Sequence, residues 1–169
     1  MTYKEMFLAE LTAEVKRSRR AIENMPDGDH ADWKPHDKSM PFGYLAMLVV
    51  GMPSWIALIV NQDELDVAPV KPNHAPPPMT TRADFFAALE KGEADARKAL
   101  EETTDAHLDT NWKLLAAGNV VAEMTRAEMI RDTFNHMAHH RGQMTVYLRL
   151  LGAPVPALYG PSADDKRYE

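Results

Sequence analysis

Three short strings fix where helices can begin in this chain. "TYKE" at residues 2–5, "TTRAD" at 80–84 and "TRAE" at 125–128 each set a threonine three positions ahead of an acid. Thr2, Thr81 and Thr125 can accept from the amides of Glu5, Asp84 and Glu128, while those carboxylates reach back to the threonine N–H. After each string, apolar residues return every three or four positions, the period of a helix with one buried face. The first run carries Phe7, Leu11, Val15, Ile22 and Met25 and stops at Pro26 and "DGD". The run after Thr81 carries Phe85, Leu89, Ala96 and Leu100. The run after Thr125 carries Ile130, Thr133, Met137, His140, Met144, Tyr147 and Leu151, and ends at Gly152 with Pro154 beyond it.

A fourth run lacks such a string. It extends from about Ser39 to Asn61, with Leu45, Leu48, Val49, Met52, Trp55, Ile56 and Ile59 spaced by threes and fours. Pro53 lies inside it and predicts a kink, because proline removes a backbone donor. The link that follows, "QDELDVAPVKPNHAPPPMT" at 62–80, is long for a helix–helix connection and rich in proline. Such a length suits a crossover between two parallel helices of a bundle. Residues 111–124, "NWKLLAAGNVVAEM", read as a short hairpin around "AAGN". The expected fold is all-α, a four-helix bundle with a short β-hairpin before the last helix, in a single domain over residues 1–169.

Charge narrows the partners. Net charge is −6, and the one basic cluster, "KRSRR" at 16–20, is flanked by acids, so nucleic acid is not an expected partner. No apolar run reads as long enough for a membrane span, and the charged, amphipathic N-terminal stretch is unlike a secretory signal. A cytoplasmic location is expected. The chain has no cysteine, so thiolate ligands and a cysteine nucleophile are excluded. Metal ligands must be His, Asp, Glu or water, and any thiol chemistry must borrow its thiol.

The residues that carry chemistry cluster in "FNHMAHHRGQM" at 134–144. His136 and His140 are four apart and share a helix face, the spacing of helical H-x-x-x-H metal sites. His140 falls on the apolar stripe, His136 borders it, and His139 is turned away by about 100°. Asp132, one turn before His136, is placed to accept a ring N–H. A histidine on an apolar stripe is, against this, more often a hydrogen-bonded core residue than a ligand. Arg141 and Gln143 fit either a substrate carboxylate or a bond to a neighbouring helix, the second being favoured. Tyr147 faces the core and needs a partner for its hydroxyl. Trp33, Trp55 and Trp112 fit core and hairpin contacts, and Tyr159 fits an anchor for the tail.

Two blocks bring in a family. "NHMAHHRGQMTVYLRLLGAPVPALYGPSADD" at 135–165 and "WKPHDKSMPFGYLAML" at 33–48 resemble the last helix and the entry to helix two of the DinB/YfiT-like proteins. The resemblance implies a four-helix bundle in up-down-down-up order, often a homodimer. It implies a divalent metal, Zn or Ni, held by an H-x-x-x-H pair, here His136 and His140, and by a third histidine closing "G-x-L-A-x-H". This chain reads "GYLAML" there, so Leu48 stands at the third-ligand position. His36, Asp37 and His74 are loop residues that could replace it, and spacing selects none of them.

Three functions follow. The resemblance implies a metal-dependent enzyme, a transferase acting with a low-molecular-weight thiol or a hydrolase, with an incomplete site. The same scaffold without metal would be a small-molecule-binding module, its pocket lined by Leu48 and the histidines. The third is a purely structural dimer.

Overall fold

All three threonine strings form reciprocal caps. Thr2 Oγ1 accepts from Glu5 N at 3.2 Å and Glu5 Oε2 accepts from Thr2 N at 2.9 Å. The Thr81/Asp84 pair repeats this at 3.2 and 2.8 Å, and the Thr125/Glu128 pair at 3.2 and 3.0 Å. They open α1 (Tyr3–Glu23), α3 (Arg82–Glu102) and α5 (Arg126–Leu150). The computed structural model describes residues 1–68, 79 and 81–168. Most of the proline-rich link, and His74 within it, lies outside the described residues.

Helix α2 (Phe42–Asn61) begins at Pro41 rather than Ser39 and continues as one helix through Pro53. Gly92 of α3 packs at that point. A Cβ on Gly92 would stand 3.2 Å from Ser54 N and 3.4 Å from Pro53 Cβ, so only glycine lets α3 approach so closely. A single-turn helix, α4 (Asp105–Leu108), follows α3 and was not foreseen.

The long helices meet in definite registers. Arg19 Nη2 bonds Glu90 Oε1 at 3.0 Å and Lys4 Nζ bonds Glu101 O at 2.6 Å, so α1 and α3 run in opposite directions. Phe7 lies 6.2 Å from Phe134, and Glu14 meets Arg141, so α1 and α5 run alike. Phe42 pairs with Tyr147 and Trp55 with His136, which makes α2 antiparallel to α5. Gly43 and Phe85 share one end of the α2/α3 seam, and Asn61 and Glu102 share the other. Between these helices lie Leu11, Ile22, Leu45, Val49, Ile56, Leu89, Leu100, Ile130, Met137 and Met144, all excluded from solvent.

The expected hairpin needs correction. Strands β2 (Asn111–Ala116) and β3 (Asn119–Thr125) are antiparallel, but β1 (Glu64–Asp66) adds a third strand parallel to β2, so the sheet is mixed. Short, half-exposed β1 has little alternation to mark it in the sequence. What recruits it is polar. Arg126 reaches Gln62 O at 3.1 Å and Asp63 Oδ1 at 2.6 Å with one nitrogen, and Thr110 Oγ1 and Asn111 O with the other. Asp66 accepts from the amides of Ala68, Ala117 and Gly118 at 2.9, 3.1 and 2.8 Å. These bonds tie β1 to the β2–β3 turn, where Ala117 and Gly118 adopt φ of 51° and 77°. The Ala68 amide first, and the other two with it, hold the Asp66 carboxyl below its ordinary range.

A second correction concerns α2. Its 20 residues include no charge and are long and apolar enough to cross a membrane by length and composition. Half of the apolar window is buried inside the fold, the pattern of a core helix packed against α3 and α5.

One polar cluster fixes the other side of α5. Arg141 is fully buried and donates to Glu14 Oε2, to Glu14 O at 3.1 Å and to Ser18 Oγ at 3.1 Å. Arg17 also bonds the Glu14 carboxylate, and the Tyr159 hydroxyl donates to it at 3.2 Å. The Arg17 guanidinium lies over the Tyr159 ring at 4.3 Å, and Arg20 holds Ala157 O at 3.1 Å, so the tail is anchored through Tyr159 as expected. Replacing Arg141 by methionine leaves Glu14 without its buried partner. The expected loss is about 3–5 kcal/mol, with most of it recovered in the Glu14→Leu/Arg141→Met double variant. Urea unfolding of the three proteins measures both numbers.

Candidate functional site

Helix α5 sends its two functional faces in different directions. Residues 140 and 141 are about 100° apart on a helix, so with Arg141 held against α1, His140 turns toward the α2 side. There the His140 and His136 Nε2 atoms are 2.9 Å apart, a hydrogen bond between the rings. On its other edge His140 Nδ1 lies 2.9 Å from Gln143 Oε1. With Gln143 oxygen accepting, the His140 proton is on Nδ1, and its Nε2 lone pair receives the proton of His136 Nε2. Gln143 therefore serves the histidine pair; the helix–helix bond expected of it belongs to Arg141.

The two rings differ in surroundings. His140 is buried, and His136 is exposed as a residue while its ring stands edge-on to Trp55, 6.4 Å between centroids. Burial of the ring pushes the His136 pKa below 6.5. The charges of His140 and His139 act the same way and Asp132 opposes them. Asp132 thus influences His136 by its charge alone: the ring N–H expected to reach it is not bonded to it, and His136 Nε2 meets His140 instead. His139 is exposed, with its ring 5.2 Å from that of His140.

Leu48 lies on α2 between Phe42, which meets Tyr147, and Trp55, which meets His136. It is seven residues from Trp55, so both occupy one helix face. Leu48 is partly buried and packs against the core. A Cβ on Gly51, one turn from Trp55, would meet no neighbouring atom within 4 Å, so that position opens onto free space. Tyr147 donates to Met40 O at 3.1 Å and sets its ring at a right angle to Trp33, which supplies the partner its hydroxyl needed.

Nitrogens 2.9 Å apart suit neighbouring positions on one divalent ion, because two ligands at about 2.1 Å and right angles stand about 3 Å apart. A third donor is another matter. His36 Nδ1 accepts from Lys38 N within its own loop, and His107 bonds Val60 O. Among the described residues, no group of three His, Asp or Glu side chains is placed to hold a metal ion. The donor set does not fit a three-histidine centre.

Sequence reasoning missed Glu14 and Ser18, which hold Arg141. The signal was present: both sit on the apolar stripe of α1, where a carboxylate must find a partner.

A sequence model described as the DinB family matches residues 1–169. The chain belongs to the DinB family. Among curated proteins, the uncharacterised protein YrdA of Bacillus subtilis (strain 168) is 40% identical over 43 residues, a match covering 25% of this chain and 26% of that protein. Among solved structures, a DinB-like protein of Bacillus cereus ATCC 10987 superposes with a TM-score of 0.69 at 24% identity, covering 92% of this chain and 97% of that one. The DinB-like protein YjoA of Bacillus subtilis gives 0.68 at 17% identity, over 95% and 99%. At these identities the two structures show the DinB-like fold, mostly helical with a small sheet.

The depressed pKa of His136 has a consequence for stability. Its contribution is fully present above pH 6.5, the ordinary value, and is lost as pH falls from there through the lower folded value. Histidine NMR titration is expected to put the His136 midpoint below 6.5. Asp132→Asn, which removes the opposing charge, lowers it further.

Proposed function

We propose that this DinB-family protein binds a small molecule at the α2/α5 seam, with the His136–His140 pair as its hydrogen-bonding and acid–base group and no resident metal. The observation that carries this reading is the direct Nε2–Nε2 hydrogen bond, with Gln143 behind His140; the resemblance adds Leu48 at the third-ligand position. A neutral His136, favoured by its lowered pKa, can take a proton from a bound ligand. Trp55 gives the ligand an aromatic wall, and the space beside Gly51 gives it entry. A low-molecular-weight thiol from outside is one acceptable ligand, since the chain has no thiol of its own.

The fold reading that accompanies this is a four-helix bundle in up-down-down-up order, in one domain over residues 1–169. The opposed α1/α3 and α2/α5 registers and the aligned α2/α3 and α1/α5 registers support that order. A homodimer is proposed as well. Val146 and Leu150, one turn apart on α5 and each 57% exposed, offer apolar surface to a second copy. A cytoplasmic location completes the proposal.

A metal-dependent reading keeps one favourable observation, the spacing of the two imidazole nitrogens. Zinc and nickel titration of the chelator-treated protein, followed by calorimetry, separates the two. The metal-free reading expects weak binding by the parent protein. It expects Leu48→His to tighten it by at least about 100-fold, the upper end of what even an indirect ligand partner contributes. Tight, stoichiometric binding by the parent, unchanged in Leu48→His, contradicts it.

A further inference from the structure

Helix α2 differs from the other long helices in carrying no charge on its outer face. Glu10 and Lys16 stand exposed on α1, Lys91 and Asp95 on α3, Arg131 and Arg149 on α5. The 20 residues of α2 include no Asp, Glu, Lys or Arg, yet half of its apolar window is not buried. A helix at the surface of a bundle ordinarily turns charged residues to water. The uncovered stripe runs the length of α2. Tyr44 is 50% exposed, and Met47, Gly51, Trp55 and Leu58 are each only partly covered. Steps of three, four, four and three residues keep them on one face.

Those steps read alike in both directions from Gly51. A two-fold axis at Gly51, lying across the helix, lays a second α2 antiparallel on the first. Met47 of each copy then meets Trp55 of the other, a favourable sulfur–aromatic pairing, and Tyr44 meets Leu58. Gly51 stands at the crossing, and a Cβ there would meet no described atom within 4 Å, so nothing within the chain calls for glycine. Gly92 shows the use of such a residue in this fold, since it lets α3 close on Ser54 and Pro53 of α2. Glycine weakens a helix interior, and a helix passing close by offsets that.

The area suffices for a second copy. A helix of 20 residues is about 30 Å long, and a strip about 20 Å wide, taking in the flanks of its neighbours, covers about 600 Å² per copy. The total exceeds the roughly 1,000 Å² that a specific interface needs. A lipid surface is a poorer cover, because it attracts a basic border. Here the α3 border is balanced, with Lys91 and Lys98 beside Asp95 and Glu102, the α5 border carries Asp132, and the net charge is −6.

We propose that two copies pair through the outer face of α2, about a two-fold axis at Gly51, and that each closes the other's histidine site. This rests on the homodimer and the seam site proposed above and names the surface that joins them. Trp55 stands against His136, so Met47 of the second copy lies over the indole and walls the site from outside. The opening beside Gly51 is covered in the pair, so a ligand enters while the copies are apart.

The chain has no cysteine, so introduced ones report position without background. Sedimentation of the full chain reads whether a dimer forms, and oxidation of cysteine variants reads where. A disulfide needs Cα atoms within about 7 Å. Gly51→Cys is expected to give a covalent dimer, as is the Met47→Cys/Trp55→Cys double variant. Tyr44→Cys alone is expected to give none, because its two copies lie about 20 Å apart along an antiparallel pair. Gly51→Glu, which sets two carboxylates together at the axis, should weaken the dimer about tenfold or more. A side chain at 51 has room in the single copy, and circular dichroism of each variant reports its fold. A dimer that cross-links through Val146→Cys or Leu150→Cys and not through Gly51→Cys keeps the homodimer and overturns this interface. A monomer at about 100 μM, weak for an interface of this size, overturns both, whether or not it floats with lipid vesicles. Failure of the metal-free site would show in the calorimetry above and leave the cross-linking pattern as it is.

Discussion

The contact between Arg141 and Glu14 decides how the last helix can sit. A guanidinium with no exposure to water is tolerable only where its charge and donors are met, and here a carboxylate, a carbonyl and a hydroxyl of α1 meet them. Rotation of α5 about its axis would strand that charge. Because His140 is the next residue back, the same contact aims its ring at the α2 side. Tyr159 closes the cluster from the tail and Arg17 from α1, so the two ends of the chain jointly hold the histidines in register.

On that side the His136 ring stands edge-on to Trp55 of the facing helix. In the family pattern a third imidazole would close a metal tripod. The two rings satisfy one another through their Nε2 atoms, and Leu48, which we propose takes that third position, packs against the core. Gln143 gives that pair a direction by fixing the tautomer of His140. A hydrogen bond, a glutamine and the anchored rotation of α5 hold the rings where they are.

Much of this was legible in the residues. The capping strings marked three helix starts to the residue, since each cap is local and involves only four positions. Period-three-and-four apolar residues identified all four long helices. The i, i+4 spacing of His136 and His140 brought their rings together as a shared helix face requires. The hairpin was only half right, because β1 is three residues recruited by distant groups, Arg126 and Asp66, and local pattern carries no trace of that. The apolar spacing carried α2 through Pro53 to Asn61, yet the run was passed over as too short for a membrane span, which its 20 uncharged residues are not by length and composition. Gln143 was left open between a substrate and a neighbouring helix, the helix favoured, and it meets His140 instead: side-chain direction at i, i+3 is a packing outcome that sequence leaves open.

The tautomer of His140 tests the metal-free pair most directly. A long-range proton–nitrogen correlation spectrum of the histidine rings, recorded after chelator treatment, reads it without any assumption about substrate. The pair described here requires a protonated Nδ1 and a lone-pair Nε2 on His140, unchanged when chelator is added. A proton on His140 Nε2, or ring signals that lose their order once metal is stripped away, would contradict it.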